Sequence, residues 1–528
     1  MKKLISYIVF LILFISSACS IFSMDAQIAP EEDRQEEVAE SIFEENNDEV
    51  ENTPEIIVAE AGSETTIKQA VYLFAPIRST TTYLIDSDGD AVFTWESQYT
   101  PGNSVYLKEN GNLLHTGMFK SDVFTAGGAG GIVEEIAPDG TIVWSYQYAS
   151  DQVLQHHDIE ELPNGNILLI AWEMKSQAEA IEAGRSPDLL KDGELWADHV
   201  VEIDPRTNNI VWEWHIWDHL VQDYDATKEN YGIIAEQPQR IDLNFASRQA
   251  NADWTHINSI DYNAELDQIL LSVHNFSEIW IIDHSRNTQE AAGDAGDLLY
   301  RWGNPQAYDA ATNAEQQFYA QHDAQWIPVG YPGAGNILVF NNGDQRKRPY
   351  SSVDEIVPPL DTDETYTFID DTFAPASPSW SYSGDNFFAD HISGAQRLGN
   401  GNTLICNGTE GVFFEVTPDE KVIWRFNYGD EVFRVIRYEA DYAGLSEFIS
   451  SYSSMENITG TGQQAPQGQA QRPQLDFATA AGKLGVTEQA LRAALGAPPP
   501  DFATAAEKLG VTEQALRDAL DIPLGSQP

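Results

Sequence analysis

"EIAPDGTIVW" (residues 135–144), "EIDPRTNNIVW" (202–212) and "EVTPDEKVIW" (415–424) are one phrase written three times. An acidic and an apolar residue lead into a proline-containing turn, and a short apolar strand then ends in tryptophan. The same kind of strand recurs as "AVFTWE" (Trp95), "LLYRWG" (Trp302) and "PSWSYS" (Trp380), which with Trp144, Trp212 and Trp424 makes six. A second phrase alternates with the first: "KENGNLLHTG" (108–117), "LPNGNILLIA" (162–171), "GYPGAGNILVF" (330–340) and "LGNGNTLICN" (398–407), with "YNAELDQILLS" (262–272) as a glycine-free version. Asn-Gly between alternating apolar runs is a hairpin signal, because both turn positions tolerate positive φ. A repeat of about 45 to 90 residues holding about four short strands predicts a β-propeller. Six tryptophan strands predict an all-β, six-bladed β-propeller over residues 66–445. The first unit lacks a clear Asn-Gly turn, so a C-terminal strand such as "EVFRVIRY" (431–438) is expected to complete its blade and close the ring. The tryptophans are read as packing between blades.

The ends of the chain differ in composition. Met1, Lys2 and Lys3, the apolar run Leu4 to Ile15 and "SSACS" read as an export signal with a lipobox over residues 1–19. Cys19 would carry the lipid and anchor the protein at the cell envelope, although Ser16 stands where an aliphatic residue is usual. Plain secretion and an uncleaved anchor are the alternatives. The only other cysteine is Cys406, so a lipidated Cys19 leaves no intrachain disulfide and no cysteine-rich metal site. Residues 20–65 are acidic and poor in aromatics, a composition that predicts a disordered linker. A Gly/Gln/Pro linker is expected over 446–474 and two short helical repeats over 475–528, where "DFATAA-KLGVTEQALR-AL" occurs twice. Formal net charge is -54. A surface so acidic excludes a general nucleic-acid binder. Oligomeric state is not legible.

The chain holds eleven histidines, and four of them take related places on the repeat. His157 stands seven residues before Asn164 of its hairpin turn, and His256 stands seven before Asn263. His322 begins the equivalent strand of a third unit, and His391 lies nine before Asn400. Equivalent strands of a propeller face one channel, so these imidazoles are expected to meet in one funnel. By strand alternation His156 should point away from His157 and be structural. His115, His199, His215, His219 and His284 fall off the pattern and read as structural. A histidine cluster can divide the roles of nucleophile, base and anion holder, because neighbouring charges push their pKa values apart. Transfer of an anionic group such as sulfuryl or phosphoryl would suit it. Asn258, two residues after His256, is a candidate hydrogen-bond donor. There is no phosphate-binding glycine loop with Lys and no Gly-x-Ser-x-Gly elbow.

Several stretches resemble the bacterial arylsulfotransferases that work without an activated nucleotide donor: residues 253–284, "GDLLYRWGNPQAY" (296–308), "QHDAQWIP" (321–328) and "GNILVFNNG" (335–343). The resemblance spans about Tyr72 to Tyr428. It implies a six-bladed propeller and ping-pong transfer of a sulfuryl group from an aryl sulfate donor to a phenolic acceptor, with no cofactor and no metal. His322 would be the transiently sulfated nucleophile. His256, His157 and Asn258 would bind sulfate oxygens. The family carries an arginine where this chain has His274, so either His274 substitutes, or Arg301 or Arg346 reaches in, or the donor differs. His274 and His391 complete the expected substrate-binding set.

Three other readings use the same residues. A quinoprotein-like dehydrogenase shares the tryptophan-docking strands but lacks the paired cysteines. A non-catalytic cell-surface propeller would use the channel for a glycan or peptide. A metal enzyme would use the histidines as ligands.

Overall fold

The computed structural model of the chain describes residues 70–245, 251–310, 315–361, 365–446 and 448, with a few isolated positions between 483 and 516. The expected export signal, Cys19 and the expected acidic linker over 20–65 lie outside the described residues, as do nearly all of the expected 446–474 linker and most of the expected helical repeats.

Six four-stranded antiparallel sheets make six blades. Their innermost strands are, in blade order, Val432–Glu439, Pro101–Leu107, Val153–Glu161, Ile257–Asn263, His322–Trp326 and Gly394–Arg397. Each touches the innermost strands of the two neighbouring blades, so the six close around one channel. Blade one is closed as the sequence predicts: Val432–Glu439 pairs antiparallel with Ala70–Pro76, Leu73 opposite Ile436. This pairing fastens the two ends of the domain to one another and removes the free sheet edges that an open ring would leave. Leu445 and Phe448 pack on the Trp95 cluster, so the packed structure continues to Phe448, past the predicted boundary at 445.

The Asn-Gly turns join the first and second strands of their blades, with φ of +84° at Gly111, +83° at Gly165 and +87° at Gly401. The asparagine after each glycine donates to a glutamate of the third strand: Asn112 to Glu135 at 2.6 Å, Asn166 to Glu202 at 2.5 Å and Asn402 to Glu415 at 2.6 Å. The tryptophans sit on the outermost strands, and five of them hydrogen-bond into the next blade. The indole of Trp144 donates to Asn208, Trp212 to the carbonyl of Arg286, Trp302 to Pro375, Trp380 to Pro418 and Trp424 to Ser87. Every acceptor lies in the segment between the third and fourth strands of the following blade. The phrase that reveals the fold is therefore both halves of its blade contact, the tryptophan and the turn that receives the previous tryptophan. Trp95 is the exception and packs against Phe93 and Phe448 instead.

Candidate active site

Histidine reaches the channel because the innermost strands are not regular. Asn103, His157, His256, Asp323 and Ser393 all have positive φ, one on or beside each of five innermost strands, and the pairing register shifts between Gln155 and Ile159, between Ile257 and Ser259 and between His322 and Gln325. Such a residue is costly outside glycine and inserts a bulge that re-aims its neighbours. The glycine-rich stretch 126–131 makes room for one of these bulges. Gly128 has φ of +83°, and a Cβ there would fall 2.0 Å from Cε1 of His157.

Four imidazoles meet in a row. Ring centroids are 4.7 Å apart for His157 and His256, 5.1 Å for His256 and His274, and 5.3 Å for His274 and His322. His157 and His322 are each 3 % exposed, so both ends of the row are buried. His274 opens the short 3-10 turn His274–Phe276, and its backbone N–H donates to the carbonyl of His256 at 3.2 Å.

Each ring is oriented by a different partner. Nδ1 of His322 lies 2.9 Å from Oδ1 of Asn342 and 3.2 Å from the Ala320 carbonyl. The Asn342 amide is itself fixed, since its Nδ2 donates to the carbonyls of Ala389 and Ile392, both at 2.9 Å. Two acceptors on Nδ1 put the proton there and leave the Nε2 lone pair of His322 as the reactive nitrogen. Nδ1 of His256 is 2.5 Å from Asp253. The outer nitrogen of His156 faces Asp198 at 2.6 Å, and its Nδ1 faces Nδ1 of His157 at 2.9 Å. With the His156 Nε2 proton directed at the carboxylate, His156 Nδ1 accepts from His157, and Nε2 of His157 also carries a lone pair.

The rings divide by charge. Burial first, then the neighbouring imidazoles, hold His157 and His322 well below the usual histidine value. Burial also opposes protonation of His256, but the charge and hydrogen bond of Asp253, with the charge of Asp198, outweigh it and leave this ring above its usual value. A ring biased toward its cation in one row with two biased toward the neutral form suits holding an anion beside a nucleophile. Asp253→Asn is expected to leave only the charge of Asp198 opposing burial at His256 and so to lower its pKa. Because the raised pKa keeps the ring charged, and charge is lost as pH rises through it, the variant should lose activity at lower pH than the parent. We expect kcat/KM near neutrality to fall ~10–100-fold, read from the pH profile. An unmoved alkaline limb would remove His256 from this role.

Several expected residues are placed differently. His391 does not join the row: its side chain is 51 % exposed at the rim, with Nδ1 on Asp390 at 2.7 Å. The chain there runs Ile392 and Ser393 through positive φ before its strand begins at Gly394, so the two extra residues before its turn carry the ring outward. His274 takes the fourth place instead. Asn258 is fully buried and donates to the Gln321 carbonyl at 2.8 Å, which ties blades four and five together rather than presenting that N–H to the funnel. His156 is not turned away, because the positive φ at His157 breaks the alternation; it stacks on Trp172 at 4.0 Å and belongs to the site. Arg301 is buried against Glu278 on the outer side of blade four, and Arg346 is exposed, so neither replaces the family arginine.

The residue that sequence reasoning missed is Arg434. Its guanidinium meets Asp323 at 2.5 Å, Asp158 at 2.7 Å and the Tyr106 hydroxyl at 2.6 Å. Asp323 also accepts from the Ala395 N–H at 2.8 Å, and Asp158 from the Ile260 N–H at 3.3 Å. One network thereby touches all six blades. Asp158 and Asp323 directly follow His157 and His322, so the repeated His-Asp pair was the available signal. Beside this hub the channel widens to a cavity of about 140 Å³ lined by Glu160 and Asp261 among others. Burial pushes Asp261 up to about 7 and Glu160 well above the carboxylate range.

A profile described as arylsulfotransferase (ASST) matches residues 57–448. The chain belongs to the arylsulfotransferase family. Membership implies an enzyme of aryl sulfotransfer, with small-molecule aryl sulfate and phenol substrates. No curated protein matches the chain. Among solved structures, a protein of unknown function from Bacteroides caccae is 12 % identical over 70 % of this chain and 98 % of that one, with a TM-score of 0.40. A catalytically inactive virginiamycin B lyase from Staphylococcus aureus with quinupristin is 9 % identical over 70 % of this chain and 87 % of that one, TM-score 0.34.

Proposed function

We propose that this arylsulfotransferase-family protein moves a sulfuryl group in two steps, with His322 as the carrier. The observation that carries the reading is the fixed tautomer of His322, whose Nδ1 is committed to Asn342 while Nε2 is left as a neutral nucleophile. In the first step the Nε2 lone pair of His322 bonds to sulfur as the sulfur–oxygen bond to the aryl group breaks and a phenolate leaves. In the second, an acceptor phenol gives its proton to Nε2 of His157 while its oxygen attacks sulfur, and the nitrogen–sulfur bond returns its electrons to His322. Charge on the three sulfuryl oxygens is met by the His256 imidazolium, and by His274 when it is protonated, preorganised donors that need no rearrangement during transfer. Asp198 and His156 hold His157 in the tautomer that can accept the proton.

The substitution of His274 for the family arginine changes what the site offers. Arginine supplies a permanent charge and a planar fork, whereas histidine is charged only when protonated. The reading is tested with a panel of aryl and alkyl sulfates. We expect released phenol to accumulate with an aryl sulfate and a phenolic acceptor together, and a single-turnover burst with the aryl sulfate alone. Turnover without acceptor dependence, or none with any aryl sulfate, overturns the two-step transfer.

A further inference from the structure

We infer that blade three carries a second site, away from the histidine row, for a divalent transition-metal ion of the zinc class. Its ligands are Glu173, His199 and His215. They come from three successive strands, Ile167–Ser176, Glu194–Asp204 and Asn209–His215. In the register His199 lies opposite both Ala171 and His215, and Glu173 is two residues beyond Ala171. The two-residue period puts all three on one face of the sheet, and Ala171 is the small residue beneath them. The rings of His199 and His215 lie parallel with centroids 5.0 Å apart. One ligand atom from each residue falls within 4.8 Å of the others.

The surroundings orient these atoms. Nε2 of His199 faces the Tyr148 hydroxyl at 2.9 Å, and Nε2 of His215 faces Glu213 at 3.0 Å. Lys175 holds Oε2 of Glu173 at 3.0 Å. The atoms left over are Nδ1 of His199, Nδ1 of His215 and Oε1 of Glu173. His199 is only 1 % exposed, yet its Nδ1 has no hydrogen-bond partner, while Oε1 of Glu173 lies 3.4 Å from Nδ1 of His215, an ion-pair contact that an ion bound between them would replace. Buried polar atoms are nearly always satisfied. Here Nδ1 of His199 is such an orphan beside the Glu173–His215 pair, on a ring whose other nitrogen is held by Tyr148 as the rings of metal-ligating histidines usually are. Two imidazoles and one carboxylate suit zinc or iron(II) and not magnesium or calcium, which take oxygen shells. The three ligands leave a coordination position open, and the partly exposed His215 gives the ion its way in.

The full-length protein, stripped with chelator and dialysed, is titrated with Zn²⁺ and with Co²⁺ as a spectroscopic probe. We expect one equivalent to bind and Co²⁺ to show d–d bands with nitrogen ligation. Glu173→Gln, nearly isosteric, and His199→Gln should each weaken binding about a hundredfold or more. His322→Asn should leave binding intact, since the histidine row is a separate place for an ion. Should His199→Gln fail to fold, Glu173→Gln alone decides. The inference falls if the parent binds no stoichiometric ion, if Glu173→Gln binds as the parent does, or if His322→Asn abolishes binding.

Discussion

His322→Asn is expected to lower kcat for an aryl sulfate by ~10³-fold or more while the protein stays folded. Asparagine is close in size but has no nitrogen lone pair able to form a bond to sulfur. The loss should not be shared with donor binding: His157, His256 and His274 remain, so KM should change far less than kcat. Mass spectrometry gives an independent reading. Donor alone should add one SO₃ to the peptide containing His322 in the parent and nothing in the variant. Near-parental turnover, or the added mass on a peptide holding His157 or His274, would assign the carrier elsewhere in the row.

Arg434→Met is expected to have the largest effect on stability. It removes the only cation meeting Asp158 and Asp323 among the described residues, and both carboxylates are fully buried. Stranding charges in this way costs about 3–5 kcal/mol. The consequence extends to the site, because each carboxylate directly follows a histidine of the row. Once Asp158 and Asp323 relax, the bulges that aim His157 and His322 relax with them. A lowered denaturant midpoint together with lost turnover is the expected result. An unchanged midpoint would mean that water entering the channel can solvate both carboxylates, and that the hub is dispensable. Arg434→Lys separates charge from shape: it restores a cation but cannot span Asp323, Asp158 and Tyr106 at once.

How far the site could be read in advance follows from the same bulges. His157 and His256 were legible because each stands seven residues before the asparagine of its turn, and His322 because it begins the equivalent strand of its unit. His391 met nearly the same spacing and yet stands at the rim, since two residues of positive φ intervene before its strand. His274 was visible only as a departure from the family pattern. His156 was misjudged because alternation assumes a regular pleat, and His157 is left-handed. Asn342 and Asp253, which set the tautomer of His322 and the charge of His256, carry no local mark: an asparagine in "FNNG" or an aspartate in "ADWT" is ordinary until its partner is known.

The sequence by itself determined the number of blades, their hairpins and the closing strand. These depend on local patterns, alternation, turn residues and one tryptophan per blade, repeated often enough that each copy supports the others. Only the tertiary structure decided which histidines meet, which is cationic and where Arg434 lies. Those properties arise between residues far apart in the chain, such as Arg434 and Tyr106, 328 positions away, where burial and charge are set by whatever the ring brings together.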